Sequence, residues 1–386
     1  LDSTPRTSAG LAATAAFAAT SARAASKSPN DKIVVGLVGC GGRKTHVAEF
    51  FKNTPNVEVA YCCDVDQSRL AATAEKLGVK ASHAVSDMRR ILDDKSVDVV
   101  LVTTPDHWHS PASILACYAG KHVYVEKPIS HNIREGRLLV EASERNNVHV
   151  QHGTQVRSTP MIMEGVKLIP YRTNRVHKRW TPWYHFGAGD MGNDGVHDIE
   201  YTRWGLGVVT HPNKISAEGG KYFFDDDGEF PDTQQVTFEY SGDGKPGSKR
   251  MFIYEQRLWS VNYPYNCDSG AEFYGTKGHM FLSRRGKIQV TNDKKASVPV
   301  DVVPGGQDDA LHVLNLCDAI RNGTKLNADA LVGHLTTSLC HLGNIATRLG
   351  RSLKFDPQTE QIVGDDQASK LISREDRKHW GTPRGV

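Results

Sequence analysis

Seven cysteines, an odd number with no paired spacing, exclude both a disulfide framework and a zinc-type ligand set. Cys62 and Cys63 are adjacent on a predicted strand and so point to opposite faces. Cys40 falls in a glycine turn, and Cys117, Cys317 and Cys340 fall on apolar helix faces. All are expected to be buried free thiols. A dominant charge is missing too. The 47 basic and 44 acidic residues leave a net charge of only +3, too balanced for a nucleic-acid or anionic-membrane partner. No apolar run is long enough for a membrane span, and neither internal repeats nor a coiled-coil pattern occur. What remains, 39% hydrophobic and 24% charged, is the composition of a soluble globular protein. A length of 386 residues points to two domains, and the expected ligand is a small molecule in a pocket.

Residues 10–25 read GLAATAAFAATSARAA, small and apolar without an acid, and Ala22-Arg23-Ala24 fits a small-x-small cleavage site. Residues 1–30 are therefore expected to be the remnant of an export signal plus linker, giving a periplasmic or exported protein, with a cytoplasmic one as the alternative. A twin-arginine pair is not present; Arg6 stands alone.

Residues 31–152 alternate short apolar strands with amphipathic helices. The strands are predicted at 32–38, 57–63, 97–102, 122–125 and 148–151. The helices follow the first glycine turn to Thr54-Pro55, then cover 67–77, 113–119 and 133–146. That rhythm predicts a doubly wound parallel sheet, the Rossmann arrangement, in an α/β chain. From 153 to 386 the pattern becomes strands separated by turns, with helices over 309–322 and 328–349. The first of these carries Leu311, Leu314, Cys317 and Ile320. This second unit is expected to be an α+β substrate domain with a large, mostly antiparallel open sheet.

Gly39 and Gly41 fit the first two glycines of a dinucleotide turn, which lets a backbone approach a pyrophosphate at a helix N-terminus. The third position is Lys44; Gly42 and Arg43 offer partial compensation through freedom and charge. Asp64 ends the second strand, 25 residues after Gly39. A carboxylate there accepts hydrogen bonds from ribose hydroxyls and repels a 2′-phosphate, so NAD is expected over NADP, with Arg69 close enough to temper the preference. Thr104-Pro105-Asp106-His107-Trp108-His109 follows the fourth strand, at the carboxyl edge where ligands bind. Thr104, Pro105, His107, Trp108 and His109 are candidates for cofactor contact. An isolated His-x-His does not make a metal site.

Glu126-Lys127-Pro128 follows the next strand. The proline holds Lys127 out of helix, and burial beside an oxidised ring would lower its proton affinity. Glu126 is placed to position it. In 187–207 a helix from Asn193 to Trp204 would put Asn193 and His197 on one face.

Together these pieces resemble the glucose–fructose oxidoreductase, inositol dehydrogenase and rhizopine-catabolism (Gfo/Idh/MocA) family. The resemblance rests on Gly39-Cys40-Gly41-Gly42-Arg43, Cys63-Asp64-Val65-Asp66, Thr104-Pro105-Asp106-His107, Glu126-Lys127-Pro128, Gly195-Val196-His197 and Tyr274-Gly275-Thr276-Lys277-Gly278. Residues 339–346 look like the bacterial C-terminal type of that family. The likeness implies a cleft between two domains, a catalytic Lys127, and a second-domain aspartate followed four positions later by a histidine. The histidine corresponds to His197; the aspartate position is Asn193, which can bond a hydroxyl but take no proton. Asp194 is expected among the substrate contacts and not as that aspartate's equivalent, because one helical residue is a rotation of about 100°. Gln155, Arg157, Trp183, Tyr184 and His185 are further substrate candidates. The resemblance also implies a possible homo-oligomer. The expected activity is hydride transfer from a hydroxyl of a sugar, sugar derivative or cyclitol to NAD. The alternatives are an NAD-assisted glycosidase or lyase that recycles a retained cofactor, and a binding protein without catalysis.

Overall fold

The computed structural model describes residues 32–41, 44–160, 183–184, 187–226, 228–245, 247–302 and 305–374. The N-terminal leader, Gly42, Arg43 and His185 lie outside them. The first domain holds β1 (Ile33–Val38), α1 (Lys44–Asn53), β2 (Val57–Cys63), α2 (Gln67–Leu77), β3 (Ala84–Val85) and α3 (Arg89–Asp93). It continues with β4 (Val99–Val102), α4 (His109–Tyr118), β5 (His122–Val125), α5 (Ile133–Arg145) and β6 (Val150–His152). The six strands are parallel in the order β3-β2-β1-β4-β5-β6, the doubly wound order expected. Polar residues end the helices at defined points. Asp66 caps α2 by accepting from the backbone N–H of Ser68 at 3.0 Å and Arg69 at 3.2 Å. Gly78 closes the same helix in the left-handed region. Cys62 and Cys63 are both buried, and they pack into different apolar clusters on the two faces of the sheet.

The second domain opens with a widened turn, Met191–Gly195, continuous with α6 (Val196–Gly205). Then come β7 (Lys214–Gly220), β8 (Thr233–Tyr240), β9 (Arg250–Arg257), β10 (Ala271–Gly275), β11 (Gly278–Ser283) and β12 (Lys287–Asn292). The remaining elements are α7 (Asp309–Asn322), α8 (Ala330–Leu349), β13 (Leu353–Asp356), β14 (Gln361–Ile362) and α9 (Asp366–Ser369). Among the described residues the strands divide into two antiparallel sheets, β14-β13-β7-β8-β9 and β10-β11-β12, where one large sheet was expected.

Two helices tie the domains together. Helix α7 lays Val313, Leu316, Cys317 and Ala319 into the core formed by β1, β4 and α1. Leu311 and Leu314, apolar residues of the same helix, are each 36% exposed. The packing stripe is offset because α7 lies against α1 and the 155–158 turn, with Val313 and Leu316 facing the first domain's core. Helix α8 joins the hinge after β5 to the second domain. Thr337 Oγ1 accepts from Ile129 N at 3.4 Å, His341 Nε2 lies 3.1 Å from Ser130 O, and Asn344 donates to Ala188 O at 2.8 Å. No helix among the described residues is long and apolar enough to cross a membrane.

Candidate active site

A cavity of about 960 Å³ runs along the carboxyl ends of β1, β2, β4 and β5 and under the widened turn of the second domain. One end is the glycine turn. Gly39 has φ +100, and a Cβ there would lie 2.7 Å from the backbone carbonyl of Thr103, so only glycine fits. Thr103 Oγ1 donates to Gly39 O at 2.7 Å and clamps the turn to β4. Gly41 also lines the cavity, with the Arg69 guanidinium beside it.

Asp64 fixes the next part. Its Oδ2 accepts from Cys40 N at 2.7 Å and its Oδ1 from Asp66 N at 2.9 Å. Both oxygens are thereby oriented while the carboxylate still faces the cavity, ready for a pair of ribose hydroxyls. Arg69, the residue that could have favoured a 2′-phosphate, pairs with Asp66 at 3.2 Å. Ser86, Asp87, Met88 and Arg89 complete the rim. They lie between β3 and the start of α3, two short elements without a periodic signal in the sequence.

Thr104, Pro105, Trp108, His109, Glu126 and Lys127 line the middle and far parts. His109 is buried, its Nδ1 2.6 Å from Pro128 O and its Nε2 2.8 Å from Thr104 O. It thereby pins the loop after β4 to the loop after β5. Asp106, quoted in the motif but given no role, is buried and lines the cavity too. His107 points elsewhere: its ring stands edge-on to His131, with centroids 6.4 Å apart, and it does not line the cavity. One residue of the short helical turn at 106–108 rotates it off the Trp108 side.

Lys127 Nζ donates to the backbone oxygen of Asn193 and, at 3.0 Å, to Asn193 Oδ1. Burial pushes the ammonium below its ordinary proton affinity. Asp194, Glu126 and Asp106 oppose that shift, and Arg284 adds to it. Asn193, Asp194 and His197 all line this end of the cavity. The rotation argument that set Asp194 apart assumed α-helical geometry; the widened turn at Met191–Gly195 brings both neighbours to the same space.

Of the substrate candidates, Gln155 lines the cavity. Its Nε2 donates to the Tyr124 hydroxyl at 3.1 Å, and its buried Oε1 has no protein partner. Arg157 does not line the cavity. It is drawn away by buried Glu200, with Nε 2.5 Å from Oε1, and lies 4.6 Å over the Trp204 ring. Trp183 and Tyr184 also stay outside the lining. Tyr184 packs on Phe230 with centroids 4.2 Å apart, under the Arg348 guanidinium, so its ring serves packing.

One group of side chains among the described residues converges as metal ligands could: His211, His334 and Glu360. Both imidazole Nε2 atoms lie near Glu360 Oε1, at 2.9 and 3.0 Å. The Arg137 guanidinium, however, bonds both carboxylate oxygens. A fixed positive charge at that carboxylate makes this a closed ion cluster and opposes a cation.

Comparison with known proteins agrees with this geometry. The Gfo/Idh/MocA family model described as an oxidoreductase family, NAD-binding Rossmann fold, matches residues 33–154. Its companion, an oxidoreductase family C-terminal alpha/beta domain, matches residues 145–382. A myo-inositol 2-dehydrogenase of Thermotoga maritima is 32% identical over 260 residues, covering 64% of this chain and 74% of that protein. A glycosyl hydrolase family 109 protein of Solibacter usitatus is 34% identical over 131 residues; the match spans 31% of this chain and only 30% of that relative. The fold of the aldose–aldose oxidoreductase from Caulobacter crescentus superposes with a TM-score of 0.67 at 20% identity, over 84% of this chain and all of that one.

Proposed function

This chain belongs to the Gfo/Idh/MocA oxidoreductase family, with NAD as its cofactor, and we propose that its substrate is a hydroxyl of a sugar, sugar derivative or cyclitol. One observation carries the reading. A single cavity joins the dinucleotide turn at Gly39 and Asp64 to a polar end made of Lys127, Asn193, Asp194 and His197. The nicotinamide, when bound, supplies the acceptor for the carbinol hydride. Lys127 receives the hydroxyl proton, and burial, by lowering its proton affinity, favours the neutral amine that this role needs. Asn193 orients Lys127 through two acceptor oxygens, and Gln155 Oε1 offers an acceptor to a second substrate hydroxyl. Trp108 gives the middle of the cavity an aromatic wall.

The likeness to a glycosyl hydrolase family 109 protein supports a second reading, in which a retained NAD would supply a transient oxidation and return the hydride around a bond cleavage. The export-like leader at residues 10–25 supports it as well. Outside the cytoplasm no pool of free NAD refills the site. At an association rate of ~10⁶ M⁻¹s⁻¹ a nanomolar site empties in roughly a quarter-hour, so an exported enzyme needs far tighter retention. Among the described residues β9 ends the five-stranded sheet, and an edge strand that offers backbone groups to a second copy supports a homo-oligomer.

The test is mass spectrometry of nucleotide released from denatured protein, followed by turnover of sugars, cyclitols and glycosides. Reduced nicotinamide accumulating with a sugar or cyclitol supports the dehydrogenase. Stoichiometric retained NAD with glycoside cleavage and no net reduction supports the second reading. Turnover of none of these classes contradicts both.

A further inference from the structure

Asn193 leaves the site without a carboxylate at the position where the family resemblance implies an aspartate, and the structure shows where one is supplied. Asp194 lines the same cavity as Asn193 and His197 because the helix is widened at that turn. Its Oδ2 is bonded by Arg284 Nη2. Arg284 follows the last residue of β11, so it comes from the three-stranded sheet, and only 3% of it is exposed. It lies behind Asp194 and does not line the cavity. On its far side Nε is 3.8 Å from Asp198 Oδ2, and Asp198 Oδ1 accepts from the Tyr201 hydroxyl at 2.6 Å. Asp194 and Asp198 are four apart across the widened turn, and one guanidinium is held between them. A buried guanidinium cannot shed its charge, so its position is set by these two carboxylates.

We propose that Arg284 is a positioning residue that clamps the Asp194 carboxylate in the cleft next to Lys127, making Asp194 the acidic partner that Asn193 does not supply. The proposal rests on the reading of Lys127 as the group that takes the substrate proton. Asp194 stabilises the protonated lysine and Arg284 opposes it, so the pair sets the proton affinity of Lys127 from opposite sides. The other charged groups facing Lys127 are Glu126 after β5 and Asp106 after β4, with His152 at the end of β6. Around Arg284 the further groups are Asp198 and Tyr201 on α6, with Arg285 beside them after β11. Burial pushes Asp198 up to about 6, against Arg284 and with help from Asp194. Below about pH 6 Asp198 therefore takes up a proton and gives up its claim on the guanidinium, leaving Asp194 as its main partner.

The test needs no substrate. The rate at which an amine-reactive anhydride labels Lys127 is followed by peptide mass spectrometry across pH, in the full chain and in Arg284→Gln and Asp194→Asn. Arg284→Gln is expected to move the Lys127 midpoint up in pH and Asp194→Asn to move it down, each by about one unit, with Arg284→Lys closer to the parent. The pH limb of turnover should follow in the same opposite directions. Midpoints that stay put, or that move the same way in both variants, overturn the proposal even if sugars are oxidised. Opposite shifts without any sugar turnover leave the clamp standing and sink the substrate reading instead. Should Arg284→Gln fail to fold, the downward shift in Asp194→Asn and the position of Arg284→Lys decide the matter.

Discussion

Removal of the Glu200 carboxylate should destabilise the join between the two domains by an amount the structure bounds. Glu200 is fully buried on α6, and its Oε1 meets Arg157 Nε at 2.5 Å and Arg203 Nη2 at 3.7 Å. Its Oε2 accepts from the Thr336 hydroxyl on α8. Arg157 follows β6 and also donates to Asn327 O at 2.8 Å, so the cluster fastens the segment that leaves the first domain to α6 and α8. Glu200→Ala strands two guanidinium groups, one of them 3% exposed. Breaking a buried pair from one side costs about 3–5 kcal/mol. For a domain of this size each kcal/mol lowers Tm by about 2–4 °C, so a fall of roughly 10 °C is expected.

The pH dependence has a sign. Burial alone would raise the Glu200 carboxyl, but Arg157 and Arg203 outweigh it and hold the group below its ordinary value. A depressed carboxyl stabilises the fold at pH above its unfolded value. That contribution disappears as pH falls through the folded one. The gap in urea-melt stability between parent and variant should therefore be full at neutral pH and close in acid. A loss under about 1 kcal/mol, or a gap that does not change with pH, would refute the claim that a charged Glu200 fastens the domains.

Other outcomes follow from the cavity. Asp64→Asn should weaken NAD roughly tenfold to a hundredfold, the worth of about one to two charge-assisted hydrogen bonds, and shift preference toward NADP in fluorescence titrations. Trp108→Ala should weaken NAD binding measurably, while His107→Ala should leave it unchanged, since only Trp108 lines the cavity; equal effects would contradict the placement of the loop after β4. Gly39→Ala forces a Cβ to 2.7 Å from Thr103 at φ +100. Calorimetry should show both a lowered Tm and no NAD heat.

The first domain was legible because its signals are local. Strands such as β4, with all four residues buried, read as continuous apolar runs, and Gly39, Asp66 and Gly78 mark turns and caps by chemistry that tertiary contacts do not override. Elements of two to five residues, β3 and α3, have no period to detect, yet they bring Asp87, Met88 and Arg89 to the cavity rim. The roles that escaped notice are those that depend on distant chain or on an irregular turn. Arg284 is 90 residues from Asp194 and reaches it from another sheet. Arg157 looked equally suited to the cleft until buried Glu200 claimed it. Asp194 was set apart by a 3.6-residue period that a single widened turn breaks. Leu311 and Leu314 are as apolar as Cys317 on the same helix, yet the partner surface, known only from the fold, selects Val313 and Leu316.

The central claim is that Lys127 takes the proton of a substrate hydroxyl whose carbinol hydride goes to NAD. It is tested most directly by mixing NAD-loaded protein with the sugar or cyclitol that turns over fastest and following the reduced ring in a single turnover, for the parent and for Lys127→Ala. A burst of reduced nicotinamide is expected in the parent. In the variant the burst should slow by about two to four powers of ten, with NAD affinity little changed. A variant that reduces NAD at the parental rate would contradict the assignment.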